Sequence, residues 1–195
     1  MQQVSFTEMK AGTREEYVFL HEAEVPFVAG TAERVLRELR QQELESLPGY
    51  QVSRLTHGLQ SATRAEHDGM DADWIVGALL HDIGDGLAPH NHDRLAAEII
   101  RPYVRAEVTW TVEHHGAFQL YYYGHHLGWN QHERDQYRDS PYYEDCVQFC
   151  ERWDQSSFDP AYPTEALEHF EPLVRSVFAR KAYDDAVLRP DTITF

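Results

Sequence analysis

Histidine and aspartate recur through the middle of this chain at positions that one metal centre could use together. The stretch LLHDIGDGLAPHNH sets His81 and Asp82 side by side at the end of an apolar run, with His92 at its close. His57 comes earlier, in LTHGLQSA, while His115 and Asp154 come later, in EHHGAF and FCERWDQSSFDP. An adjacent imidazole and carboxylate offer a cation a neutral nitrogen and a charged oxygen from one turn of backbone. The absence of a thiolate among such donors argues against a soft-metal site.

The elements that must position these residues read as helices almost throughout. GTAERVLRELRQQELES carries a stripe of Val35, Leu36 and Leu39, and LPGY breaks it. VSRLTHGLQSATRAEHDG then sets Val52, Leu55, Leu59 and Ala62 on one face before Gly69. Asp71 caps ADWIVGALLHDIG, which is apolar nearly all round and so predicts the central buried helix. Asn91 or Pro89 opens HDRLAAEIIRPYV, stopped near Pro102. AEVTWTVEHHG predicts a short helix closed by Gly116, followed by an irregular aromatic region from Phe118 to Tyr143. YYEDCVQFCERWDQSSFDP and a last helical stretch from Pro163 to Tyr183 complete the chain, and Glu15 to Ala29 is ambiguous. No repeat, linker or sustained alternation divides it. The expectation is one all-α domain over residues 1–195, with its core in about 50–160 and the N-terminal helical region and C-terminal helix packed on it.

Placed on these helices, the candidate donors point inward. His57 lies at the margin of the Leu55/Leu59 surface, and His81 and Asp82 end the most buried helix. His92 falls three before Leu95, His115 lies on the Val108/Val112 stripe, and Asp154 continues Val147 and Cys150. Burying so many polar groups unpaired would exceed a domain's net stability of about 5–15 kcal/mol, so a metal cluster is the economical explanation. Cys146 and Cys150 read as packed inward rather than bridged or zinc-bound.

Composition narrows the partners. The formal charge of −16 over 195 residues opposes binding to nucleic acid or an anionic membrane. No apolar run is long enough to span a bilayer, and MQQVSFTEMKAG lacks the pattern of a signal peptide, so a cytoplasmic protein acting on a small molecule is expected.

The series His57, His81-Asp82, His92, His115 and Asp154, with HGLQSA around the first member and FCERWDQSSFDP around the last, resembles the HD-domain superfamily. Within it the flanks look most like the mixed-valent di-iron oxygenases, the branch containing myo-inositol oxygenase and the bacterial enzymes that cleave the carbon–phosphorus bond of 2-aminoethylphosphonate derivatives. The resemblance covers roughly Tyr50 to Pro160 and implies a helical bundle around a dinuclear site. It implies one iron held by His57, His81, Asp82 and Asp154, and a second held by His92 and His115, with Asp82 bridging. His114 competes with His115, which is preferred for the following GAF and its place on the valine stripe. The implied activity is metal-centred. A ferric ion takes a substrate hydroxyl, a ferrous ion takes dioxygen as co-substrate, and a C–P or C–C bond beside the hydroxyl-bearing carbon is cleaved.

Substrate contacts depart from that branch. Asp85 stands where related oxygenases carry a basic residue, Gln119 where the phosphonate enzyme carries a lysine, and Tyr50 where it carries a glutamate. Asp85 either caps the following turn or pairs with a nearby arginine, or else faces the cavity and favours a cationic group. Tyr121, Tyr122, Tyr123 and Trp129 offer rings that would cradle a quaternary ammonium, so a hydroxylated trimethylaminoalkylphosphonate would fit. The substrate-binding candidates are therefore Asp85, Gln119, Tyr50 and Tyr122. The alternatives are an HD-type metal-dependent phosphohydrolase acting on a nucleotide or phosphate ester, and a non-enzymatic metal-binding domain.

Overall fold

Capping chemistry fixes where the first helices begin. Thr13 and Glu16 form a reciprocal capping box that opens α1 (Arg14–Ala29). Thus the ambiguous stretch is helical, although none of its residues is buried. The Ser53 hydroxyl accepts from the Thr56 N–H and opens α3 (Arg54–His67), and Asp71 accepts from the Asp73 and Trp74 amides at the start of α4 (Ala72–Leu80). Between them α2 (Thr31–Gln41) buries the expected Val35, Leu36 and Leu39. The computed structural model describes residues 3–44 and 48–188, so Glu45, Ser46 and Leu47, at the end of the predicted helix and the start of LPGY, lie outside the described residues.

Helix α4 is the centre of the bundle, and every residue from Asp73 to Leu80 is buried. Helices α3 and α8 (Leu167–Phe178) pack on it, α2 packs on α8, and α5 (His92–Ile100) lies along α6 (Ala106–Tyr123). The described residues form no strand, so the fold is all-α. Close approach is set by glycine where helices cross. A Cβ on Gly58 would lie 2.7 Å from the Leu79 carbonyl oxygen, so only glycine lets α3 lie this near the end of α4. Gly58→Ala is therefore expected to lower stability by about 1–3 kcal/mol in denaturant unfolding. An unchanged midpoint would show that the two helices can part without cost.

One expected boundary is wrong. The helix carrying His115 does not close at Gly116 but continues to Tyr123, so the aromatic segment from Phe118 is helical at its start. Glycine inside a helix costs only about 1 kcal/mol relative to alanine. Burial of Phe118 against the rings of Trp110, Tyr137 and Tyr143 outweighs that cost. Irregular structure begins at Gly124, with short 3-10 turns at Gly124–Leu127 and Glu133–Tyr137. After these, α7 (Tyr143–Phe149) runs into a π-helical turn, Cys150–Asp154, in which the Gln155 amide bonds back to the Cys150 carbonyl at 3.0 Å. Both cysteines are buried and free.

Candidate metal centre

Each of the six donors arrives from a different local device. His57 projects from the first turns of α3, and His81 follows the last residue of α4. Asp82 comes next in a tight turn, with its carbonyl accepting from the Gln42 side chain at 2.7 Å and from the Asp85 amide at 3.0 Å. His92 is the first residue of α5, and His115 sits mid-way along α6. Asp154 ends the π turn, whose extra residue per turn advances its carboxylate around the helix axis.

Three of the four imidazoles are oriented alike. Nδ1 of His57, His81 and His115 lies 2.9, 2.8 and 2.8 Å from the carbonyls of Ser157, Ala78 and Val112. A carbonyl only accepts, so each Nδ1 carries the proton and each Nε2 presents a lone pair. Yet Nε2 of His57 and Nε2 of His81 face one another at 3.0 Å, and both lie 3.3 and 3.5 Å from Asp154 Oδ1. Asp82 Oδ2 is 3.6 and 3.7 Å from the same two nitrogens. Its other oxygen, Oδ1, is 3.3 Å from Nε2 of both His92 and His115.

Lone pairs and carboxylate oxygens converging in this way repel unless a proton or cation stands between them. Asp82 Oδ1 and Asp154 Oδ2 are buried and have no hydrogen-bond partner among the described residues. Donors about 2.0–2.2 Å from a common cation would stand about 3.0–3.5 Å apart. Most of the observed separations have that size and those of Asp82 Oδ2, at 3.6 and 3.7 Å, are slightly longer, so the residues fit a metal centre, with one carboxylate divided between two groups of donors. His114 does not compete, because its ring stacks on Trp110 at 4.1 Å and its Nδ1 bonds the Trp110 carbonyl.

The HD domain family model matches residues 51–154, more than half of the chain and a span that includes all six donors. This chain belongs to the HD-domain family. Over 88 residues this HD-domain protein is 34% identical to 1-hydroxy-2-(trimethylamino)ethylphosphonate dioxygenase (glycine-betaine-forming) of Leisingera caerulea. That match covers 40% of this chain and 45% of the relative, so the chain spans less than half the length of the curated protein it matches.

Electrostatics in the HD domain follow from its geometry. Burial opposes the charged form of His115, but the Asp82 carboxylate outweighs it and lifts the imidazole to about 10. His57 is raised in the same way, burial being outweighed by Asp154, and so is His92, by Asp82. Burial works against ionised Asp82 and Asp154, but His81 and the other imidazoles hold both carboxyls below the usual range. The carboxylates that would draw a cation into the centre also favour the protonated form of His57, His92 and His115.

Beside the donors lies a cavity of about 490 Å³. Of the substrate-binding candidates, Tyr50, Gln119 and Tyr122 line it and Asp85 does not. Asp85 is engaged by Arg54, with Oδ2 2.6 Å from Nε, and its Oδ1 lies 3.7 Å from His92 Nδ1, so it stands behind His92. Of the readings that the sequence left open for Asp85, this geometry matches the pairing with a nearby arginine. Gln119 follows His115 by one turn of α6, and its amide nitrogen is buried without a hydrogen-bond partner among the described residues. The Tyr122 hydroxyl donates to Glu151 at 2.7 Å. Of the other rings, Tyr123 and Trp129 line the cavity, whereas Tyr121 is covered by Arg134, 3.7 Å above its ring. Several lining residues escaped the sequence reading, among them Phe158 and Arg54. Phe158 stacks on His57 at 4.4 Å, and Arg54 occupies the helical turn before His57. That i, i+3 spacing was the signal that could have found Arg54.

No helix among the described residues is long and apolar enough to cross a membrane.

Proposed function

We propose that this HD-domain protein is a non-heme di-iron oxygenase. It would use dioxygen to cleave a C–P or C–C bond next to the hydroxyl-bearing carbon of a small polar substrate, a hydroxylated trimethylaminoalkylphosphonate being the specific candidate. The observation that carries this reading is the division of Asp82. One oxygen faces His57 and His81, and the other faces His92 and His115, an arrangement in which two metals would share one carboxylate. A mononuclear centre would need only the first group. His57, His81, Asp154 and Asp82 would hold one iron, and His92, His115 and Asp82 the other. Bound there, a mixed-valent iron pair would supply Lewis acidity and the electrons that activate dioxygen.

The chain's own residues contribute orientation and exclusion of water. Phe158 covers one face of His57, leaving its Nε2 edge open to the centre. The unpartnered Gln119 amide is placed to donate to a substrate oxygen beside His115. The Tyr123 hydroxyl, pushed above a phenol's ordinary value by the partial burial of its ring, would meet the substrate as a neutral donor at the cavity wall. Tyr122, Tyr123 and Trp129 supply rings for a quaternary ammonium, the group named in the relative's substrate. The alternative, a metal-dependent phosphohydrolase acting on a nucleotide or phosphate ester, is favoured by one observation, the basic Arg54 in the cavity wall.

Metal analysis and oxygen uptake separate the two. The expected result is two irons per chain and dioxygen consumption on addition of a hydroxylated aminoalkylphosphonate from a panel that includes polyols and hydroxy-amines. One manganese, cobalt or nickel per chain with hydrolysis of phosphate esters, and no oxygen uptake across the panel, would replace the oxygenase reading with the hydrolase.

A further inference from the structure

The cavity wall contains one permanently charged side chain that the oxygenase reading leaves without a role. Arg54 lies in the first turn of α3, its side chain only 17% exposed, and it forms part of the wall beside the metal donors. Nη1 donates to Asp82 Oδ2 at 3.1 Å, Nε meets Asp85 Oδ2 at 2.6 Å, and the Tyr50 ring lies 5.3 Å from Cζ. Carboxylate contacts on one side and a ring on the other hold the guanidinium in one orientation. An ion pair set this far from water is costly to assemble merely as a brace, because desolvation offsets much of its attraction. A fixed guanidinium fork, by contrast, suits the recognition of a carboxylate or phosphonate.

The distribution of charge around the cavity has a direction. Cations held by Asp82 would repel a second cation, so the end of the cavity near Arg54 and the donors favours an anion. Tyr123 and Trp129, with ring centroids 6.4 Å apart, offer uncharged π faces and are both more than 40% exposed, which places them towards the opening. Asp85 does not disturb this polarity, since it stands behind Arg54 and does not line the cavity.

We infer that Arg54 receives the anionic group of the substrate, and that Asp85 is a positioning residue that holds its guanidinium at the wall. The inference rests on reading this cavity as the substrate site of the metal centre. It makes the substrate class a small zwitterion, with its anion at Arg54 and its ammonium at the Tyr123/Trp129 rings.

Calorimetric titration of the iron-loaded protein without oxygen tests this directly. Methylphosphonate, acetate and tetramethylammonium serve as probes, and iron content is measured for every variant. Methylphosphonate or acetate should bind the unaltered protein, the tighter one identifying the anion. Arg54→Gln should weaken that probe roughly tenfold or more, as loss of a charge-assisted contact does. Arg54→Lys and Asp85→Asn should weaken it less, and none should change tetramethylammonium binding. Affinity within about twofold in Arg54→Gln at full iron content, or no anion binding by the unaltered protein, would overturn the inference. Should Arg54→Gln lose iron or fail to fold, unchanged anion affinity in both Arg54→Lys and Asp85→Asn overturns it. Anion binding here combined with no oxygen uptake across the panel of hydroxylated substrates would instead defeat the oxygenase reading and leave the anchor standing, so the two failures are distinguishable.

Discussion

Replacing Asp82 with alanine is expected to empty both metal positions at once. Its Oδ2 faces the group formed by His57, His81 and Asp154, while its Oδ1 faces His92 and His115. Removing the side chain takes a charged donor from each group and leaves the second with imidazoles alone. Loss of a residue that merely supports a ligand costs about 10–100-fold in metal affinity, so loss of a shared ligand should exceed that for both ions. The backbone is not the target, because the Gln42 side chain bonds to the Asp82 carbonyl, which alanine retains. Elemental analysis after iron loading should fall from two per chain towards zero in Asp82→Ala. His92→Ala, by comparison, should retain the ion held by His57, His81, Asp82 and Asp154. Retention of one full iron in Asp82→Ala would show that the carboxylate does not bridge.

The donors were legible in the sequence because a helix turns a spacing into a direction. Val108, Val112 and His115 mark one face of α6, and that face, together with the following GAF, separates His115 from His114 in the sequence. Asp71 likewise announced the start of α4, and the all-round apolarity of that helix announced its central place. What was not legible depends on contacts between distant segments. Gly116 reads as a helix end, yet α6 passes through it because Phe118 is buried among rings from Tyr137 and Tyr143. Asp85 reads equally well as a cavity residue or an ion-pair partner, and only the turn that carries it to Arg54 decides. The π turn that sets Asp154 leaves no mark in periodicity, since a single inserted residue within an apolar stripe shifts the face without breaking the pattern.

Removing the metals should destabilise the fold, and the size of the effect should grow with pH. A ligand bound only by the folded chain stabilises it by mass action, about 4 kcal/mol when its concentration is a thousand times the dissociation constant. Chelation should therefore lower the melting temperature markedly. The pH dependence follows from the groups that would otherwise hold protons. In the metal-free protein His115 is lifted from the ordinary 6.5 to about 10, and His57 and His92 are raised with it. A raised imidazole contributes stability that is complete below about 6.5 and is lost as pH climbs through its folded value. Asp82 and Asp154 are lowered, so their contribution is present above the ordinary carboxylate value of 3.8 and is lost only as pH falls. The metal-free protein should thus be most stable between about pH 4 and 6.5, and weaken from there towards pH 10. Metal binding runs the other way, since each ion must displace protons from the same nitrogens. The gap in melting temperature between loaded and chelated protein should accordingly widen from pH 6 to pH 9, and iron loading should release protons, read as a dependence of calorimetric heat on the buffer's ionisation enthalpy. A gap that stays constant or narrows over that range, with metal removal verified, would mean that the buried imidazoles are not the ligands.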